Sequence, residues 1–231
     1  PERPGTRAAG PRPGHARRVR TAVGARTDLP APARCPNQLV DPGRGCLMEV
    51  TTPQVLLRPM VEADVNAVRA LDVLVQPAPW SEDFLRNQLA NPITRTLLVA
   101  EGANGGLVGH AALVVVADEG HVTSIAVDPV HQRHGIGSCL LTALCRDARA
   151  RGLKAMTLEV RVDNAAAIAL YRRFGFAPAG IRPCYYTDPD GTTTDALVLW
   201  VHDMEDPVFV SAVERLAMER AEIKESKGGM A

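Results

Sequence analysis

The segment Gln132-Arg133-His134-Gly135-Ile136-Gly137 is where chemistry is easiest to read in this sequence. It lies between an apolar, strand-like run ending at Val127 and a helical pattern opening near Gly135. Glycines at such a junction let the backbone approach an anion closely. The first turn of a helix leaves N–H groups free, and its dipole favours negative charge. A pyrophosphate suits that cradle, with Arg133 and His134 adding charge at the rim. The run is not a Walker A loop, because no Gly-Lys-Ser/Thr follows, and it is not the dinucleotide fingerprint G-x-G-x-x-G. Taken alone, it is equally compatible with close packing of a helix on a strand.

Two titratable side chains come after it. Alternation over Ala155–Val162 places Met156, Leu158, Val160 and Val162 on one face of a strand and Glu159 on the other. Such a carboxylate is a solvated or ion-paired group, or else a base. Tyr171 sits in a helical stretch with Ile168 and Phe174 on nearby turns, as a core aromatic or as a proton donor. His110, His121, His131 and His202 form no H-x-x-x-H pattern and are given no role. Cys35, Cys46, Cys139, Cys145 and Cys184 form no C-x-x-C pair. No metal site is therefore expected, and reduced thiols in a cytoplasmic setting are.

The elements that must position these residues are marked by turn and cap signals. Val55–Arg58 reads as a strand stopped by Pro59. Residues 61–75 carry Val65, Val68, Leu71, Leu74 and Val75 at helical spacing. Ser81 is an N-cap for a second helix to about Ala90. Strands come next at Thr96–Glu101, Leu107–Val116 and His121–Val127, the last two joined by a turn at Asp118-Glu119-Gly120. A long helix runs from Gly135 to Ala150 and stops at Gly152. Then come the strand at 155–162, a helix capped by Asp163 or Asn164, and strands at Ala179–Thr187 and Thr194–Val201. The order β-α-α-β-β-β-α-β-α-β-β predicts an α/β (α+β) domain over 48–206, with a mixed, mostly antiparallel sheet and helices on both faces.

The ends differ in composition. Residues 1–47 hold nine Arg against three acids, eight Pro and no Ser, and read as a disordered basic arm. The chain starts at Pro1 while Met48 precedes the first patterned segment, so the arm is read as an upstream over-extension of the reading frame or a cloning remnant, with a basic tether as the alternative. Residues 207–231 form an extension whose helix, 207–225, carries Val210, Val213, Leu216, Ala217 and Ile223 on one stripe. It either docks on the domain or waits for a partner. Residues 48–231 are mildly acidic, which favours a basic partner over nucleic acid. The longest strictly apolar run, Ala111–Ala117, is too short to cross a bilayer.

Val127-Asp128-Pro129 followed by Gln132-x-x-Gly135-x-Gly137 resembles the acetyl-CoA signature, Q/R-x-x-G-x-G/A, of the GNAT superfamily of N-acetyltransferases. The element order from about 54 to 203 is similar to that superfamily's fold. The resemblance implies acetyl-CoA as cosubstrate. Main-chain groups of Ile125, Ala126 and Val127 would meet its pantetheine and acetyl carbonyl, and those of Gln132, Arg133, His134, Gly135, Ile136, Gly137 and Ser138 its pyrophosphate.

Leu158-Glu159-Val160-Arg161 and Ala169-Leu170-Tyr171 are similar to the RimI branch, which acetylates the N-terminal alanine of a small-subunit ribosomal protein. That resemblance implies Glu159 as general base and Tyr171 as general acid, Asn164 as a contact to CoA, and Trp80, Tyr185 and Tyr186 on the peptide side. Tyr185 and Tyr186 are expected to alternate across their strand, one lining the groove and one packing. Asn87-Gln88 stands where other members often carry Glu. The implied partner is the N-terminal peptide of a basic ribosomal protein, met by a monomer or weak dimer without nucleic acid or membrane. A small-molecule amine or a lysine is the alternative acceptor within the same fold. A non-catalytic binding module is the alternative of another class, and the presence of both Glu159 and Tyr171 argues against it.

Overall fold

A computed structural model of the chain describes residues 55–225, with side chains to residue 219. The arm expected over 1–47 lies outside the described residues. Seven strands form one sheet in the order β1-β2-β3-β4-β5-β7-β6. They are β1 (Leu56–Pro59), β2 (Arg95–Glu101), β3 (Leu107–Val116), β4 (Glu119–Val127), β5 (Ala155–Arg161), β6 (Ala177–Thr187) and β7 (Thr193–Val201). Among them only β4 and β5 pair in parallel, because α3 (Ile136–Ala150) makes the crossover between them.

Helices cover both faces. On one, α1 (Val65–Val75) and α2 (Glu82–Leu89) close a small core of Met60, Val65, Val68, Leu85 and Val99. On the other, α3, α4 (Ala165–Arg173) and α5 (Pro207–Glu225) cover the larger core. Here α3 buries Ile136, Leu140, Leu141, Leu144 and Cys145, the stripe its 3.6-residue spacing dictates. Ser81 caps α2, its hydroxyl accepting from the Phe84 N–H at 3.1 Å. The choice between Asp163 and Asn164 resolves to Asn164, whose Oδ1 accepts from the Ala167 N–H at 3.0 Å.

Three details differ from the sequence expectation. The β3–β4 turn closes two residues early: Val116 pairs with Glu119 and Ala117 takes a left-handed φ of 54°. Gly120 therefore lies in a strand, where an added Cβ would stand 3.1 Å from Leu153 and 3.2 Å from Leu113, so packing and not a turn requires the glycine. On α1, Leu74 is exposed and the buried position beside Leu71 is Asp72. Its carboxylate meets His110 Nε2 at 2.6 Å and accepts from Gln76 Nε2 at 2.9 Å. Val162 falls beyond β5 and is exposed, so the inward alternation ends at Val160.

Docking is what α5 does. Phe209, Val213 and Leu216 are buried in the main core, and Arg146 and Arg173 pair with Glu214 and Glu219. Phe209, absent from the expected stripe, packs edge-on to Phe176 at 6.5 Å. Phe209→Ala should lower unfolding free energy by about 3 kcal/mol. The shift is read from the denaturation midpoint at unchanged slope, and Met218→Ala, at an exposed site of the same helix, should change it by less than about 0.5 kcal/mol.

Candidate active site

The site begins where two strands part. β4 and β5 pair from Glu119↔Ala155 to Val122↔Leu158 and no further, although β4 runs on to Val127 and β5 to Arg161. A bulge marks the parting. On β3, Ala112 faces Ser124 and Leu113 faces Val122, which leaves Thr123 as an extra residue of β4. A bulge bends its strand and re-aims the residues beyond it. Past the bulge, the β5-facing backbone groups of β4 have no strand beside them, so an extended ligand can take the place of the missing strand.

A groove of about 470 Å³ opens at this gap. It is lined by Ile125, Val127, Gln132, Arg133, Gly135, Ile136, Gly137, Ser138 and Asn164, with Tyr171 and Arg173 of α4. Ala126 and His134, also expected at the cofactor, are not among its lining. Strand alternation explains Ala126: it pairs opposite His110 and is buried with it, on the face away from Ile125 and Val127.

The cradle is built from backbone. Gly135 takes φ 82° and Arg133 φ 65°, which folds the loop tightly into α3. Gln132 Nε2 donates to the Val127 carbonyl at 3.1 Å and ties the loop to the end of β4. Unlike α2 and α4, α3 has no side-chain cap. Its first backbone bond within the helix runs from Cys139 N–H to the Gly135 carbonyl at 3.0 Å, so the N–H groups of the turn before it carry no helical partner. Ser138 Oγ is buried in the same turn with no hydrogen-bond partner. Orphaned donors at a positive dipole end, beside a groove, fit the pyrophosphate of acetyl-CoA. The unpaired edge of β4 fits its acyl-pantetheine arm.

Glu159 is the first residue of β5 past the last paired position, and its side chain is 7% exposed. His121 Nε2 of β4 meets one carboxylate oxygen at 2.5 Å, and an Arg182 guanidinium nitrogen of β6 meets the other at 2.9 Å. Tyr171 approaches from α4, buried edge-on against Phe176. Burial, and then the neighbouring Tyr186, push its pKa above that of a free phenol. Tyr186 is pushed up to about 12, by burial first and then by Tyr185 and Glu159. Tyr186 thus senses the carboxylate and in turn raises the pKa of Tyr171.

The two strand tyrosines do not alternate as expected. Between Arg182↔Ala196 and Tyr186↔Thr194, β6 carries extra residues against Asp195 of β7. Cys184 there takes φ 51°, and its N–H donates to Asp195 Oδ1 at 2.8 Å. The kink brings the Tyr185 and Tyr186 rings to 5.1 Å, with Arg182 over one and Arg161 over the other. Trp80, in the α1–α2 connection, sits against Phe84 at 5.1 Å and His110 at 6.4 Å. Sequence reasoning missed His121 and Arg182, because only the pairing of β4, β5, β7 and β6 places them at Glu159. Among the described residues, no three His, Cys, Asp or Glu side chains gather into a metal-binding group, and no helix is long and apolar enough to cross a membrane.

The sequence model of the acetyltransferase (GNAT) family matches residues 65–176. The chain is similar to the ribosomal protein bS18-alanine N-acetyltransferase of Escherichia coli, with 39% identity over 59% of this chain and 89% of that one. It is also similar to the N-alpha-acetyltransferase RimI of Mycobacterium tuberculosis, with 35% identity over 60% of this chain and 89% of the other. Among solved structures, the ribosomal-protein-S18-alanine N-acetyltransferase from Escherichia coli superposes with a TM-score of 0.58 at 34% identity, covering 64% of this chain and 93% of that one.

The cradle yields a test by glycine substitution. At Gly137 an added Cβ would lie 3.5 Å from Leu170, an ordinary contact, whereas Gly135 takes a left-handed φ of 82°. Gly135→Ala should therefore weaken coenzyme A binding about tenfold, from about 1–2 kcal/mol of backbone strain in the cradle. Gly137→Ala should change thermal stability little. Titration calorimetry and thermal melts read the two.

Proposed function

This chain belongs to the acetyltransferase (GNAT) family, and we propose that its acceptor is the N-terminal α-amine of a protein, an alanine of a small-subunit ribosomal protein. It is an acetyl-CoA-dependent N-acetyltransferase. The ribosomal acceptor is supported by what the Escherichia coli relative acts on, at 39% identity over 89% of that relative's length. The observation that carries the chemistry is the gap between β4 and β5, with Glu159 at its mouth and Tyr171 on the groove side. In the same proposal the enzyme works in the cytoplasm as a monomer or weak dimer, without touching nucleic acid or membrane.

Acetyl-CoA, when bound, supplies an acetyl group activated as a thioester. The work left to the chain is orientation and two proton movements. An α-amine, with a pKa of about 8, arrives largely as ammonium and must lose a proton before it attacks. Glu159 accepts it. Arg182 and His121 hold both carboxylate oxygens, so the base keeps one orientation. N–H groups on the open edge of β4, near Ala126 and Val127, face the carbonyl oxygen as negative charge builds on it. Tyr171 holds a proton at its hydroxyl for the departing sulfur. Burial favours that neutral, protonated state. On the peptide side, Tyr185, Tyr186 and Trp80 are the residues assigned to the extended backbone of an N-terminal peptide, for which aromatic rings are suited.

Glu159→Gln and Tyr171→Phe should each keep acetyl-CoA affinity and lower kcat by about 10²–10⁴-fold. Near-normal turnover in both would remove their roles. The raised pKa of Tyr171 keeps its acid form present as pH rises through about 10. The pH profile of kcat should accordingly stay level from about pH 8 to pH 10, where an exposed tyrosine acid would already be failing. The acceptor is tested with two synthetic peptides, one with a free N-terminal Ala-Arg and one N-terminally blocked with an internal Lys. Mass increase of the first alone is the expected result. Acetylation of neither, with acetyl-CoA still bound, would point to a small amine.

A further inference from the structure

Every turnover leaves a proton on the base, and the base is enclosed. The Glu159 side chain is 7% exposed, while that of His121 is 36% exposed. Three groups face the carboxylate from other strands of the sheet: His121 of β4, Arg182 of β6 and, more distantly, Tyr186 of β6. Arg182 cannot take a proton, because a guanidinium has no free acceptor. Tyr186 cannot either while its hydroxyl keeps its own proton, and its pKa is pushed up to about 12. Imidazole is the one partner able to accept a proton on one nitrogen and release another from its second nitrogen near neutral pH.

The geometry sets a direction. Glu159 lies just past Leu158, where the strands part, on the side of the gap. His121 lies one residue before Val122, on the side where β4 and β5 are still paired. The carboxylate therefore stands between the reacting amine and the imidazole. We propose that His121 is the proton outlet of the active site, acting through Glu159 and not on the substrate.

One proton takes this route per turnover; the second, lost by the amine nitrogen as the adduct collapses, replaces the one that Tyr171 gives to the sulfur. The first passes from the ammonium nitrogen to Oε2 of Glu159, and from Oε2 to Nε2 of His121. The resulting imidazolium releases its Nδ1 proton to water. The N–H left at Nε2 then donates to the restored carboxylate, and exchange between the ring nitrogens through solvent, once Oε2 is next protonated, frees Nε2 to accept. No electron is transferred, and Glu159 ends as the carboxylate with which it began. This rests on Glu159 as the base.

The test is chemical rescue in weakly buffered solution. His121→Gln keeps a hydrogen-bonding side chain but cannot relay a proton, and His121→Ala leaves room for a free imidazole. Both variants should lose about tenfold to a hundredfold in kcat, with peptide KM and acetyl-CoA Kd unchanged. Added imidazole should restore kcat saturably in His121→Ala and leave the native enzyme unaffected. Native kcat in His121→Gln overturns the proposal. So does a loss in both variants that imidazole does not restore, which would make His121 a prop for Glu159. Glu159→Gln, measured alongside, separates the two readings. If it keeps full turnover, the base assignment falls and the outlet with it. If it loses turnover while His121→Gln does not, only the outlet falls.

Discussion

The parting of β4 from β5 after Val122↔Leu158 is the constraint on which the rest of the site depends. Buried backbone N–H and C=O groups must find partners, and a strand edge opened inside a sheet is costly unless something fills it. The bulge at Thr123 bends β4 away, and the gap becomes a slot shaped for an extended, hydrogen-bonding ligand. The loop from Asp128 to Gly135 then leads directly from that slot to an uncapped helix end. One continuous stretch of main chain thus offers a strand partner for an acyl arm and a cradle for phosphates.

Such a gap has to be held open from outside. On the α1 face, Gln76 Nε2 donates to both Asp72 Oδ1 and Ser124 Oγ, which fastens the end of α1 to the unpaired stretch of β4. His110 pairs with the same Asp72 oxygen beneath Trp80, so the buried carboxylate has a partner. On the far side, Arg161 joins Asp188 at 2.8 Å and lies over Tyr186, which stiffens the β6–β7 hairpin that carries Arg182. These contacts are polar and buried or half-buried, where losing one partner strands the other. From behind, α5 packs Phe209, Val213 and Leu216 under α3 and α4. The extension is therefore part of the scaffold that positions Tyr171 and the cradle.

Local signals were enough for most of the elements. Ser81 before Glu82, Asn164 before Ala165 and Gly152 after Ala150 mark helix ends by the chemistry of backbone groups that lack a helical partner, and the chain obeys them. The apolar stripe of α3 and the inward row Met156, Leu158 and Val160 follow from periods of 3.6 and 2. The signature from Gln132 to Gly137 suggested its ligand chemistry through its resemblance to a family pattern, since a glycine-rich loop opening a helix is by itself equally compatible with close helix–strand packing. The expectation faltered at Gly120, Leu74 and Tyr185. The residue types suggested a turn, a place in the apolar stripe and simple alternation, and contacts with neighbours distant in the chain decided otherwise, with Asp72 taking the buried place at His110.

By itself, then, the sequence determined the order of elements and the loop from Gln132 to Gly137, and it placed Glu159 and Tyr171 in motifs whose family resemblance makes them the candidate base and acid. Each depends on residues within a few positions of one another. Only the tertiary structure decided where β4 leaves β5, that His121 and Arg182 grip the Glu159 carboxylate, that the two tyrosines of β6 converge, and that α5 docks. Each of those depends on strand register or on contact between segments tens of residues apart. Local spacing fixes which face a side chain takes along its own strand. Which strand lies beside it, and in what register, is a property of the folded sheet.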